Sequence, residues 1–351
     1  MAFTASELTN IANAALDYYI RGEAFNNNII KKPLLNSLIA KQKTFPGGKG
    51  NISIPVKGDY TTAIAGYTHN DTVSYANPAN IKRAAYPWKE VHAGIAVTLS
   101  ELKIDGISVA DSTTGSKTVD HSDRELTAIT NLLQDKLEDM GEGWARTFNQ
   151  MLWKDGTQDS KQVPGILSLI TDAPTTGTVG GIDRSVSTWW QNRSLVGANK
   201  ITPSTTSQTL TKTLRSEYRQ LTRYGGKPDI ILCGSTFLNA LEAEVQAKGN
   251  YTLTGFAKGN TDISLPGIKI MGVGEFQYDP TLDDLGYAAR AYFLDTDAIQ
   301  LYVMEGEDRK THNPARPYNQ YVLYRAMTWT GGLCSRQFNS SAVYEVNTSW
   351  S

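Results

Sequence analysis

The side chains most able to do chemistry are few and scattered. The four histidines are His69, His92, His121 and His312, and the two cysteines are Cys233 and Cys334. No histidine has another histidine or a cysteine within five residues in a ligand-like pattern, so the spacing of a zinc site is missing. Gly177-Thr178-Val179-Gly180-Gly181 contains a Gly-x-x-Gly pattern but lacks the Lys-Ser/Thr of a phosphate loop and follows no strand signal. It reads as a turn. Asp295-Thr296-Asp297 has the order of an aspartic-protease Asp-Thr without the following glycine or a second copy, and reads as a turn at a strand end. Asp279, Asp283 and Asp284, near Glu275, lack the alternating ligands, glycine turn and distal glutamate of a calcium loop. A solvated acidic loop is the expectation there. No serine sits in Gly-x-Ser-x-Gly. The residues therefore predict no catalytic group, no metal site and no cofactor.

Composition narrows the class further. Of 351 residues, 40% are hydrophobic, and 34 Lys+Arg balance 35 Asp+Glu to leave a net charge of −1. That excludes a globally basic nucleic-acid coat and an acidic solvating tail, and sets little long-range repulsion between copies. Two cysteines 101 residues apart make no disulfide framework, and reduced thiols of a cytosolically made protein are expected. The start, Met1-Ala2-Phe3-Thr4, has neither the basic nor the apolar region of a signal peptide, and no apolar run approaches 18 residues.

The elements that must position these residues are more legible. Thr4 and Glu7 have capping-box spacing, and Leu8, Ile11, Ala12, Ala15, Leu16, Tyr19 and Ile20 predict a helix over 4–21. With the short apolar patch at 34–39, this forms an arm that needs a surface downstream or on a neighbouring chain. Lys31, Lys32, Lys41, Lys43 and Lys49 make a modest basic patch, read as a solvated face. Asn51–Val56 and Tyr86–Leu99 alternate as half-buried strands do, with a Thr/Asn/Tyr-rich middle, and predict a long hairpin over 46–100. A two-stranded hairpin is marginal alone and needs a partner surface.

The strongest pattern lies at 122–153. Ser122 and Glu125 form a second capping box, and Leu126, Ile129, Leu133, Leu137, Met140, Trp144, Phe148 and Met151 make one apolar stripe. Such a helix is roughly 48 Å long. A compact chain of this length has a radius of gyration of only about 20 Å, so the helix crosses the molecule. Gly141 and Gly143 inside it predict a kink or a close backbone approach. Beyond it come helices at 210–224 and 235–247 flanking a strand at 229–233, and a strand at 265–271. Strands then run at 289–295, 298–304, 320–330 and 332–346. The chain thus passes from α/β to β near residue 290.

This order of elements covers nearly the whole chain. Together with Gly180-Gly181-Ile182-Asp183-Arg184-Ser185 and Thr188-Trp189-Trp190-Gln191-Asn192-Arg193, it resembles the major capsid proteins of tailed bacteriophages. The resemblance implies an α+β, HK97-like major capsid fold in four parts. They are an N-terminal arm (1–45), an extended-loop hairpin (46–100), a peripheral domain with a long spine helix (101–160 and 291–351), and an α/β axial domain (161–290). It implies a non-enzymatic shell subunit forming pentamers and hexamers around double-stranded DNA, located in the virion and made in the host bacterial cytoplasm. A separate scaffolding protein and a portal would be partners, with no membrane contact. Trp189, Trp190 and Arg193 are of types enriched at interface hot spots, and Lys57 and Trp88 lie in the hairpin. These five are the expected contacts between copies. Some shells of this family carry a Lys–Asn cross-link. Lys57, Lys82 and Lys89 with Asn339 and Asn347 are residues of the right types, without a pairing that follows from sequence.

Two other readings compete. A cytosolic α/β hydrolase would be a compact subunit with a polar pocket near strands 229–233 and 268–271, and its 46–100 hairpin would fold back on its own core. An encapsulin-like cargo compartment would share the shell fold.

Overall fold

The computed structural model describes residues 3–4, 32–58, 64–73, 75, 81–98, 101, 109–110, 123–247, 268–270, 273–312, 314 and 322–349. The helix expected over 4–21 and most of the strand at 265–271 lie outside the described residues. The first described strand, β1 (Phe3–Thr4), pairs in parallel with β6 (Val109–Ala110).

The apolar patch of the arm is a helix, α1 (Pro33–Ala40), opened by proline at its first position, where a missing N–H costs nothing. Leu34, Leu35 and Leu38 are buried in the main core. After it, β2 (Lys43–Phe45) pairs in parallel with β14 (Ile299–Met304). This end of the arm is therefore built into its own chain. Its basic residues are partly spent there as well. Lys41 bridges Asp229 (2.9 Å) and Asp297 (2.8 Å), and Lys32 meets Glu142 at 3.4 Å.

The hairpin differs from its sequence pattern in one respect. Strand β3 (Asn51–Lys57) pairs antiparallel with β4 (Ile81–Pro87), Asn51 opposite Pro87 and Lys57 opposite Ile81. The alternating run from Tyr86 is two strands. At Trp88 the chain leaves the hairpin, and β5 (Lys89–Thr98) pairs along ten residues with β16 (Val322–Ser335). Alternation reports a half-buried strand but not its partner, so the sequence merged them.

Helix α2 (Asp123–Trp153) has the expected bounds. Leu137, Met140, Trp144, Phe148 and Met151 are buried. Trp144 stacks on Phe148 with centroids 4.7 Å apart, and Phe148 meets Trp329 of β16 edge-on at 4.8 Å. Among the described residues a Cβ built on Gly141 or Gly143 would meet nothing within 4 Å, so neither glycine marks a close approach to them. At its end, Trp153 donates to Asp279 (3.0 Å) and Asn149 to Thr281 (2.8 Å), both buried. Asp279 caps α6 (Pro280–Asp284) and is wholly enclosed, so the acidic loop is not simply solvated. Burial raises the pKa of its carboxyl, against the bonds from Thr281 and Trp153.

Two sheets carry the rest. After the short helix α3 (Ile166–Leu169) come β7 (Thr178–Val179) and β8 (Ile182–Asp183), then β9 (Arg193–Leu195). Helix α4 (Thr209–Leu221), strand β10 (Ile230–Cys233) and helix α5 (Ser235–Gln246) form the α/β layer. Strands β11 (Ile268–Ile270), β12 (Gly274–Tyr278), β13 (Arg290–Leu294) and β17 (Ala342–Glu345) complete a six-stranded sheet ordered β11-β12-β10-β13-β17-β9. It draws strands from both sides of residue 290, so the shift inferred there falls within one sheet. The second sheet is ordered β15-β16-β14-β2, where β15 is Lys310–His312, with β5 on the other edge of β16.

The apparent break between strands at 330 and 332 does not exist: β16 runs unbroken through Gly331-Gly332. A Cβ on Gly331 would lie 2.3 Å from the Tyr302 carbonyl oxygen, and one on Gly332 would lie 2.7 Å from that of Pro87. These glycines admit neighbouring backbone.

Side-chain alternation sorts the six-stranded sheet into two faces. Ile231, Cys233, Phe293 and Tyr344 face α4 and α5, against Leu210, Leu214, Leu221 and Phe237. Leu232, Tyr292, Leu294 and Val343 face the main core, where Trp153 packs on Tyr292. Each fully buried side chain of this size contributes about 2 kcal/mol of transfer free energy.

Candidate functional site

The hairpin and the segment 177–193 meet, and their contact fixes what the chain presents to its surroundings. Along β3 and β4 every second residue turns inward: Ile52, Ile54, Val56, Ala84 and Tyr86 are buried. They face a saddle made by β7, β8 and the 3-10 turn at Thr188–Trp190. Gly180 and Gly181 hold φ of +61° and +77°, the left-handed pair of a tight hairpin turn. That turn brings the Gly180 carbonyl to the amide of Ala85 at 2.9 Å. The Tyr86 hydroxyl donates to the Ser335 carbonyl at 2.9 Å, and burial raises its pKa.

The five candidate contacts divide by exposure. Trp190 is fully buried. Its indole N–H donates to the Val179 carbonyl (2.9 Å), and its ring meets Phe338 edge-on at 4.6 Å. Packing within the chain thus consumes the whole side chain, and Trp190 supports the saddle rather than offering surface. Trp189 is partly exposed and lies under the hairpin, where a Cβ on Gly58 would come within 2.5 Å of its indole. Lys82 donates to the Ser187 hydroxyl (2.9 Å) with its ammonium 5.8 Å from the Trp189 ring centroid. Trp88 is half-buried and donates to the Lys49 carbonyl (2.8 Å), closing the hairpin base. Lys57 is exposed at the far end of β3. Arg193 grips Glu217 of α4 through two nitrogens, at 2.5 and 2.9 Å, with its side chain 40% exposed. This pair ties β9 to α4 and raises the Arg193 pKa.

Sequence reasoning passed over Arg184, although it lies in the quoted Gly180–Ser185 segment. It is wholly buried, and its partners are neutral: Thr171 Oγ1 (2.7 Å), Asn192 Oδ1 (3.1 Å) and the Leu169 carbonyl (2.5 Å). The guanidinium also lies 4.6 Å over the Phe338 ring. Burial pushes its pKa down to about 10. Two carbonyl-rich turns and an aromatic ring are brought together by one planar fork, but residue spacing does not reveal which arginine does this.

The described residues between 64 and 75 are exposed. Ile64 is 104% exposed, Tyr67 73%, Val73 50% and Tyr75 95%. The Thr68 amide and hydroxyl both donate to Asp71, at 2.7 and 2.9 Å, shaping a turn at this tip. The arrangement combines a base packed on its own core with exposed apolar and aromatic side chains between residues 64 and 75.

Among the described residues no group of three or more His, Cys, Asp or Glu could hold a metal ion. Both cysteines are buried, and burial raises their thiol pKa values. Asp295 accepts amides of its own turn, from Asp297 (3.1 Å) and Ala298 (3.3 Å), as a strand-end turn does. Among the described residues no helix is long and apolar enough to cross a membrane.

No family model matches this sequence, and no curated protein matches it. Solved structures do match its fold over most of its length. The capsid asymmetric unit of cyanophage A-1(L) is 15% identical, covers 91% of this chain and 94% of its own, and superposes with a TM-score of 0.61. The capsid of a native GTA particle is 14% identical over 88% of this chain and 89% of its own, with a TM-score of 0.55. The capsid of an empty GTA particle is 14% identical over 88% and 95%, with a TM-score of 0.52. The chain therefore has the mixed helix-and-sheet fold seen in phage-type capsids.

Proposed function

We propose that this chain is a shell subunit, the major capsid protein of a tailed phage, which assembles with copies of itself into pentamers and hexamers around double-stranded DNA. The observation that carries this is the likeness of fold to the cyanophage capsid chain along almost the full length of both, 91% and 94%. In this reading the hairpin of β3 and β4 is the extended loop, α2 is the spine helix of the peripheral domain, and the six-stranded sheet with α4 and α5 is the axial domain. The described part of residues 1–45 is the root of the arm. A separate scaffolding protein and a portal act in assembly, and the finished subunit resides in the virion after synthesis in the bacterial host.

The exposed tip supports the same reading physically. Tyr67 and Tyr75 expose most of their surface. Aromatic side chains of this kind gain most when a partner covers them. The hydrolase reading requires the hairpin to lie on its own core, and the base does so. The tip does not, and the fold likeness runs to shells. Likeness to the GTA capsids favours a second shell reading, a DNA-transfer particle rather than an infectious head.

The test is assembly itself. Purified protein, alone or with its scaffolding partner, is expected to sediment as capsomers or shells and to show particles in negative stain. A clean monomer at high concentration under both conditions would remove the proposal.

A further inference from the structure

Helix α4 turns its apolar side inward, with Leu210, Leu214 and Leu221 buried, and a basic row outward. Lys212, Arg215 and Arg219 are exposed at spacings of three and four, and Arg223, exposed in the turn that continues the helix, extends the row. At 1.5 Å per residue the row is about 16 Å long. Among the described residues none of the four makes an ion pair, and Arg223 lies 5.6 Å from the ring centroid of the exposed Tyr224. The acid of this helix, Glu217, turns the other way, to Arg193 and Tyr344.

Like charges at these spacings destabilise an isolated helix. The fold holds α4 in place nonetheless. Buried Glu244 of α5 accepts the amides of Leu210 and Thr211, both at 2.9 Å, at the helix start. The row is thus a rigid concentration of charge on a chain whose net charge is −1.

We propose that this row is a docking surface for the phosphate backbone of double-stranded nucleic acid. The inference deepens the shell reading and rests on it for the source of the DNA. A DNA strand places one charge every 3.4 Å along the axis, so the row spans about five phosphates. Three of its four residues are arginines, whose planar fork suits phosphate oxygens. A second copy of the chain fits less well. Among the described residues no helix or strand carries three exposed carboxylates at matching spacing, and many acids are already paired within the chain. Contacts of this kind grip the backbone and carry no sequence preference.

The experiment uses the full chain and a fluorescent 30-bp duplex of either of two unrelated sequences. With four phosphates neutralised, the slope of log affinity against log salt is about −3.6, a loss of about 150-fold between 50 and 200 mM salt. R215A/R219A should reduce the slope by about half and weaken binding at least about tenfold at low salt, whereas R215K/R219K should keep the slope. All these side chains are exposed, and an unchanged thermal midpoint confirms the fold. Lys161→Ala, exposed and outside the row, should change nothing. No binding by the native protein at 50 mM salt, or unaltered binding by R215A/R219A, overturns the inference. So does an R215A/R219A variant that keeps DNA binding but no longer assembles, which would assign the row to contacts between copies. DNA binding that depends on the row in a protein that never forms particles would sustain the inference and remove the shell reading.

Discussion

Arg184 is a cation enclosed by neutral groups, and its energetics follow from that. Removing a guanidinium from water is costly, and here burial is what pushes its pKa down to about 10. Three bonds to two segments, 169–171 and Asn192, and the Phe338 face offset the cost. Arg184→Lys keeps the charge but loses the fork. It should destabilise the chain by about 2–3 kcal/mol, the scale of bonds to a charged group, seen as a lower midpoint in urea. Asp229 gives a pH dependence. Burial alone would raise its pKa, but bonds from Thr296 and Lys41 outweigh it and hold the carboxyl below its ordinary value. A depressed carboxyl contributes stability above its unfolded pKa and loses it as pH falls through the folded one. Stability measured between pH 5 and the acid limb should therefore fall less steeply in Asp229→Asn than in the native chain. The sequence read Lys41 as part of a solvated basic face, because the carboxylates that meet it lie 188 and 256 residues away.

Elements were legible where their signal is local. The stripe of α2 repeats every three or four residues, and its bounds came out at 123–153 as the caps implied. Strands were less legible, because their partners are chosen by distant register. The split at Trp88 and the continuity of β16 through Gly331-Gly332 both depend on neighbours that sequence spacing does not reveal. Glycine substitutions separate the two situations. In α2 a Cβ at Gly141 and Gly143 meets nothing among the described residues, so Gly141→Ala with Gly143→Ala should gain about 1–2 kcal/mol through helix propensity. In β16 a Cβ at Gly331 meets the Tyr302 carbonyl oxygen at 2.3 Å and the Trp329 ring at 2.7 Å. Backbone cannot give way as a flexible side chain can, so Gly331→Ala should cost about 1–3 kcal/mol. Thermal melts of the variants check both signs.

At the scale of the whole molecule, one hairpin serves two surroundings. Its base was expected to need a partner, and its own chain supplies one in Trp189, Trp190 and the Gly180 turn. Sequence could not show this, since the saddle lies about 100 residues downstream. Among the described residues its tip has no such cover. Tyr67 and Tyr75 add nothing to the stability of the isolated chain beyond their local turn, because 73% and 95% of their surfaces remain in water. Covered by a neighbouring copy, each would gain about 1.5–3 kcal/mol, and every contact in a closed shell would repeat that gain. Replacing both by serine should therefore leave the thermal midpoint of the monomer unchanged while shifting sedimentation from particles to free subunits or capsomers. A lower midpoint would place the tip in the chain's own core. Particles of native yield from the Tyr67→Ser, Tyr75→Ser chain would show that the tip takes no part in holding neighbours together, and would return the hairpin to the role of an elaborated turn.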